Sequence, residues 1–120
     1  EAFKDSILSL SPDYIINCIG LIPQRKPLDE EYKIINTDLP IFLDTLGIRV
    51  IHPTTDCEFA GDLEASSQYT KDHSRDVKDV YGISKAMSSE FLEKQGKFHL
   101  TPFVRTALDL LSCTIFSVRY

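Results

Sequence analysis

No stretch of this chain approaches the roughly 20 consecutive apolar residues that span a bilayer. Its opening residues, EAFKD, are not those of a signal peptide, so no membrane partner is expected. Basic residues are scattered, and only Arg25 and Lys26 are adjacent. With a formal net charge of −5, no basic stripe exists to release phosphate counterions, which excludes a general nucleic-acid binder. Glycines occur only at 20, 47, 61, 82 and 96, and no GxxGxxG spacing arises among them. A glycine-rich turn that cradles a pyrophosphate at a helix N-terminus is therefore absent. Cys18, Cys57 and Cys113 are odd in number and far apart, which is no disulfide framework. They read as buried or half-buried thiols of a reducing cytoplasm. No CxxC or HxxxH spacing occurs, His52, His73 and His99 are dispersed, and no metal site is expected.

What the chain does have is a pattern. Its 120 residues support one core, and short apolar runs alternate with helical periodicity, the mark of a parallel α/β sheet. Residues 1–10 read as a helix, ended by Ser11-Pro12-Asp13. YIINCIG (14–20) reads as a strand buried on both faces. Leu28, Tyr32, Ile35, Leu39, Phe42, Leu43 and Leu46 fall on one helical stripe, with acids at its start, Gly47 at its end and Pro40 expected to kink the helix or split it in two. IRVIHPT (48–54) reads as a second strand, and 57–76 as a long surface loop. A further helix runs from about 79 to 95, and FHLTPFVRT (98–106) is a third candidate strand, poorly suited to a central position because of Pro102.

In that last helix, VYGISKAMSSEF (80–91), Val80, Ile83, Met87 and Phe91 share a narrow arc expected to be buried. Tyr81 and Lys85 lie four apart on its flank, where side chains can line a cleft. An ammonium group held close to a phenol favours the phenolate and lowers its pKa, bringing it into use for proton transfer. The YxxxK pair alone is weak, since most instances are solvated surface pairs. Two neighbours strengthen it. TTD (54–56) and NCIG (17–20) follow the two candidate strands at their carboxyl ends, where open α/β sheets bind ligands.

Taken in order, PDYIINCIG (12–20), IINTDLP (34–40), IRVIHPTTDCEFAGD (48–62) and DVYGISKAMSSEF (79–91) resemble the extended short-chain dehydrogenase/reductase family. The match is to its dTDP-4-dehydrorhamnose reductase-like, sugar-nucleotide-binding branch. The resemblance implies a partial Rossmann-type parallel sheet of about three strands. Residues 1–106 would be the central part of an NAD(P)-binding domain, and 107–120 a divergent C-terminal tail. It implies catalytic roles for Thr55, Tyr81 and Lys85: a hydroxyl that orients the substrate carbonyl, a phenol that acts as acid or base, and an amine that tunes it. Asn17, Cys18, Ile19 and Gly20 would run beside the NADPH or NADH cofactor, with Tyr81 and Lys85 holding its nicotinamide end. Thr55, Asp56 and Phe59 would shape the substrate side, with Gly61 closing that segment and Asn36 supporting the site. Read without the family, Phe59 is a core anchor and Gly61 a turn.

The implied activity is reduction of a nucleotide-activated 4-keto sugar. A sugar-nucleotide epimerase or dehydratase, which uses the same Tyr/Lys pair, and a non-catalytic regulatory protein of the same fold stay open. The elements correspond to the family's fourth, fifth and sixth strands without the first three. The edge of YIINCIG is then expected to need cover from the N-terminal segment, from a homo-oligomer or from a partner that supplies the missing half. Without the glycine turn, the chain as it stands is expected to bind NAD(P)H weakly or not at all.

Overall fold

A computed structural model describes residues 1–63, 69, 70 and 73–95. The expected third strand at 98–106, the tail 107–120 and Cys113 lie outside these residues. The elements run α1 (Ala2–Ser9), β1 (Tyr14–Ile16), α2 (Asp29–Tyr32), a π-helical stretch (Lys33–Asp38), α3 (Leu39–Asp44), β2 (Arg49–Ile51) and α4 (Val80–Lys94). Short 3₁₀ turns at Pro23–Arg25 and Asp56–Glu58 punctuate the connections. This is an α/β unit with a parallel sheet, β1 beside β2, in the register Tyr14↔Arg49, Ile15↔Val50 and Ile16↔Ile51.

Both strands are shorter than their apolar runs, and each ends for a local reason. After β1 the Asn17 N–H still donates to Ile51 O at 2.9 Å. The Asn17 side chain then accepts the Ile19 N–H at 3.1 Å, turning the chain out of the ladder. Pro53 stops β2, since it has no N–H to offer. Burial of β1 on both faces does not hold. Tyr14 and Ile16 are exposed, because they share the face of the sheet that no element among the described residues covers, while Ile15 and the buried Val50 share the other.

Pro40 produces no break. Glu31 accepts the Leu28 N–H at 2.7 Å and closes the start of α2. The helix then widens to π geometry before Pro40, with the Leu39 N–H reaching Ile34 O, so the prolyl residue falls within the first turn of α3, where its missing N–H matters little. The same widening turns Asn36, Thr37 and Pro40 inward together with Tyr32 and Leu43, whereas Leu28, expected in the stripe, is exposed.

The largest departure is in α4. Val80, Ile83 and Met87, expected to be buried, are 41, 40 and 49 % exposed. The buried face is instead Gly82, Ser84, Lys85, Ala86, Ser88, Ser89 and Leu92. Small side chains let α4 approach the polar face of the preceding helix, where Thr37 donates to Ser84 O at 2.7 Å and Asn36 to Ser84 Oγ at 3.2 Å. A side chain at Gly82 would overlap the carbonyl oxygen of Cys57 and the Val77 methyls. Polar complementarity and close approach, rather than apolar periodicity, set which face points in.

Candidate active site

The carboxyl ends of β1 and β2 open into a cleft of about 310 Å³, bounded by Asn17 to Ile22, by Pro53 to Thr55, and by Tyr81 and Lys85 from the first turns of α4. Strand ends and a helix start meet there because the sheet is parallel: successive chain reversals return to the same side. Asp79 caps α4 by accepting the Gly82 N–H at 2.9 Å, which fixes the turn carrying Tyr81. Thr55 caps the following 3₁₀ turn by accepting the Cys57 N–H at 3.2 Å.

The Thr55 hydroxyl and the Tyr81 phenol both face the cleft, and the Thr55 hydroxyl donates to Asp56 Oδ1 at 3.3 Å. The phenol is held above its ordinary value: burial pushes it up, the Thr55 hydroxyl pulls against this, and Cys57, Asp56 and Glu58 add negative charge nearby. The lowering expected from Lys85 is thus reversed in sign. The Lys85 ammonium reaches Pro53 O at 3.4 Å, and a Cβ on Gly20 would lie 3.7 Å from it. Burial pushes Lys85 below its ordinary value, with Glu58 opposing.

Seven of the expected residues line the cleft: Asn17, Cys18, Ile19, Gly20, Thr55, Tyr81 and Lys85. The Asn17 side chain is turned to structural bonds, with Nδ2 on His52 Nδ1 at 3.1 Å and Oδ1 on the Ile19 N–H. Asp56 is exposed and Phe59 is buried, stacked on Tyr69 with centroids 4.5 Å apart, and neither lines the cleft. Gly61 has φ +78° and donates its N–H to the Tyr69 hydroxyl, as a turn residue. Cys18 and Cys57 are exposed rather than buried, since both sit beyond the strand ends.

Asn36, expected to support the site, is completely buried; it accepts the Leu21 N–H at 2.8 Å and donates to Leu21 O at 3.0 Å, fixing the part of the cleft wall that Leu21 forms. One contribution escaped the sequence: close behind the cleft lies Glu58, also completely buried, bonded to Thr54, Ser89 and Arg75. The paired serines of SSEF were the available signal, since small hydroxyls on an inward helix face mark polar company.

A reduced nicotinamide nucleotide is the cofactor that the family resemblance implies, and the side chains suit one half of it. An ammonium group and a phenol face the cleft, and the backbone at Gly20 carries no side chain there: a Cβ would lie 3.7 Å from Lys85 Nζ and 3.6 Å from Asn36 Oδ1. For the pyrophosphate half, the described residues hold no glycine-rich turn.

A parallel α/β unit with its cleft at the strand ends is Rossmann-type architecture. Solved dTDP-4-dehydrorhamnose reductases share the fold. A hypothetical one from Sulfolobus tokodaii superposes with TM-score 0.64 at 23 % identity, over 74 % of this chain and 34 % of that one. The Bacillus anthracis protein, solved in complex with NADP, gives 0.64 at 18 % identity, over 82 and 36 %. That from Clostridium acetobutylicum gives 0.59 at 20 % identity, over 78 and 35 %. The chain therefore spans about a third of the length of these structures. No family model and no curated protein matches it.

Proposed function

We propose that this chain carries the proton-transfer half of an NAD(P)H-dependent reductase acting on the 4-keto group of a nucleotide-activated sugar. The observation that carries the reading is the meeting of Thr55, Tyr81 and Lys85 in one cleft at the strand ends, on the fold shared with the dTDP-4-dehydrorhamnose reductases. A reduced nicotinamide, when bound, supplies hydride to the carbonyl carbon; Lys85 and Tyr81 would hold its ribose, and residues 17–20 would lie alongside.

Tyr81 gives its proton to the carbonyl oxygen as negative charge develops there. A phenol held above its ordinary value stays protonated at neutral pH, which is the state a donor needs. Thr55, which lines the same cleft as that phenol, is placed to hold the same oxygen. The Lys85 ammonium faces the cleft where the tyrosinate forms after proton transfer, and its positive charge favours that anion.

The test is NADPH consumption with a dTDP-4-keto sugar at saturating cofactor, comparing the chain with Tyr81→Phe. Loss of the general acid is expected to cut turnover by about 100-fold or more. Equal rates from the two proteins dismiss the reading.

A further inference from the structure

Glu58 has no part in the proton transfer described above, yet it is the most completely buried acid of the molecule's described residues and among the best bonded. It sits on the 3₁₀ turn (Asp56–Glu58) directly after the strand-end threonines, with no exposed surface. One oxygen accepts from Ser89 Oγ at 2.6 Å and from Thr54 Oγ1. The other accepts from Arg75 Nε at 2.5 Å. Arg75 in turn grips Glu93 with both terminal nitrogens, at 2.5 and 2.9 Å. Three separate parts of the chain thus converge on one carboxylate: the end of β2, the middle of α4, and the loop at Arg75.

Removing an ionised carboxylate from water costs several kcal/mol in general, so an acid is kept at such a place only with dense compensation. Here the compensation ties together the two pieces of backbone that carry Thr55 and Tyr81. Thr54 precedes Thr55 directly, and Ser89 lies one turn beyond Lys85 on the same buried face of α4. We propose that Glu58 is the positioning residue of the cleft: its carboxylate locks the strand end to α4, so that Thr55 and Tyr81 face the same cleft, and it places its charge one turn from Lys85 on the buried face of that helix. The inference builds on the site assigned above, but its test needs no turnover.

The charged and titratable groups around this carboxylate are Asp56 and Cys57 on its own turn, Arg75 on the loop, and Tyr81, Lys85 and Glu93 on α4. Negative charge at Glu58 raises both Tyr81 and Lys85, whereas burial raises Tyr81 and lowers Lys85. Glu58→Gln keeps the size of the side chain and removes the charge. If Glu58 acts as proposed, the Tyr81 phenol and the Lys85 ammonium both titrate lower. Ultraviolet difference titration reads the phenol, assigned with Tyr81→Phe, and lysine NMR reads the ammonium, assigned with Lys85→Met. A merely structural role opens the site to water, so that Tyr81 falls while Lys85 rises. That divergence, or no movement in either group, overturns the proposal. Should Glu58→Gln not fold, Arg75→Gln gives the mirror test: with the carboxylate less compensated, both groups titrate higher, and any other pattern counts against it. Failure of keto-sugar turnover with these titrations as expected would remove the proposed reaction and leave the positioning role standing.

Discussion

Lys85 is held where burial disfavours its charge, and that makes it a liability for the fold. Its pKa is lowered from the ordinary 10.5 by burial. A base with a depressed folded pKa contributes fully to stability only above its unfolded value, and loses that contribution as pH falls through the folded one. At neutral pH the fold therefore carries the cost of a buried ammonium. Lys85→Met, nearly neutral in helix propensity, is expected to raise Tm at pH 7 by about 2–5 °C. The advantage over the unmodified chain should shrink as pH rises towards 10.5. Thermal unfolding followed by circular dichroism across that range checks it. If Lys85→Met proves less stable at every pH, the ammonium is fully compensated in the fold. For Tyr81 the direction is opposite: its raised phenol favours folding below the ordinary 10.0 and loses that contribution as pH climbs through the raised value. At this scale the sequence was a good guide to which residues meet and a poor guide to their chemistry. The spacing of TTD and YxxxK placed three side chains in one cleft. It did not reveal that the phenol would be governed by burial and by three acidic neighbours, because those neighbours are brought in by the 3₁₀ turn and not by the helix that carries the motif.

Helix α4 shows how an element can be predicted in extent and misjudged in orientation. Its ends are local matters, an Asp79 cap and a fading last turn, and the expected span of about 79–95 matches Val80–Lys94. Which face it buries is decided by its partners, which periodicity alone does not describe. The π-helical stretch turned Asn36 and Thr37 inward, and α4 answered with serines and Gly82. This gives Gly82 a specific burden. Alanine is favoured over glycine inside a helix by about 1 kcal/mol. At position 82, however, the new methyl would run into the Cys57 carbonyl, which belongs to the backbone of the turn carrying Glu58 and cannot move without disturbing the cleft. Gly82→Ala is therefore expected to lose about 2 kcal/mol net. Urea unfolding should show a lower midpoint at unchanged slope. A stabilised variant would mean that α4 does not approach the turn this closely. Pro40 carries the same lesson for the preceding helix: the sequence marked the irregularity, but the chain absorbed it by widening the helix, a solution that the missing N–H permits and does not dictate.

Seen as a whole, the molecule is anchored by polar bonds on its inner side and carries apolar side chains on its outer one. Tyr14 and Ile16 lie exposed on β1, and Val80, Ile83 and Met87 on α4. These residues were read from the sequence as core, since alternation and helical period report only that a face is apolar, not whether anything among the described residues covers it. No helix of the described residues is long and apolar enough to cross a membrane, so the exposed stripe on α4 is not a bilayer span. Contiguous exposed apolar surface promotes association between copies of a protein. These side chains are half-exposed among the described residues, and surface changes of that kind usually stay within about 0.5 kcal/mol. The pair Ile83→Glu and Met87→Lys, four apart with the acid first, also adds a favourable helical ion pair worth about 0.3 kcal/mol. The double variant is expected to keep Tm within about 3 °C of the parent, with less self-association by sedimentation velocity and weaker binding of an apolar dye. A fall of more than about 5 °C would mean that these side chains are packed in solution. The inward face of α4 would then have to be reassigned, and with it the burial of Tyr81 and Lys85.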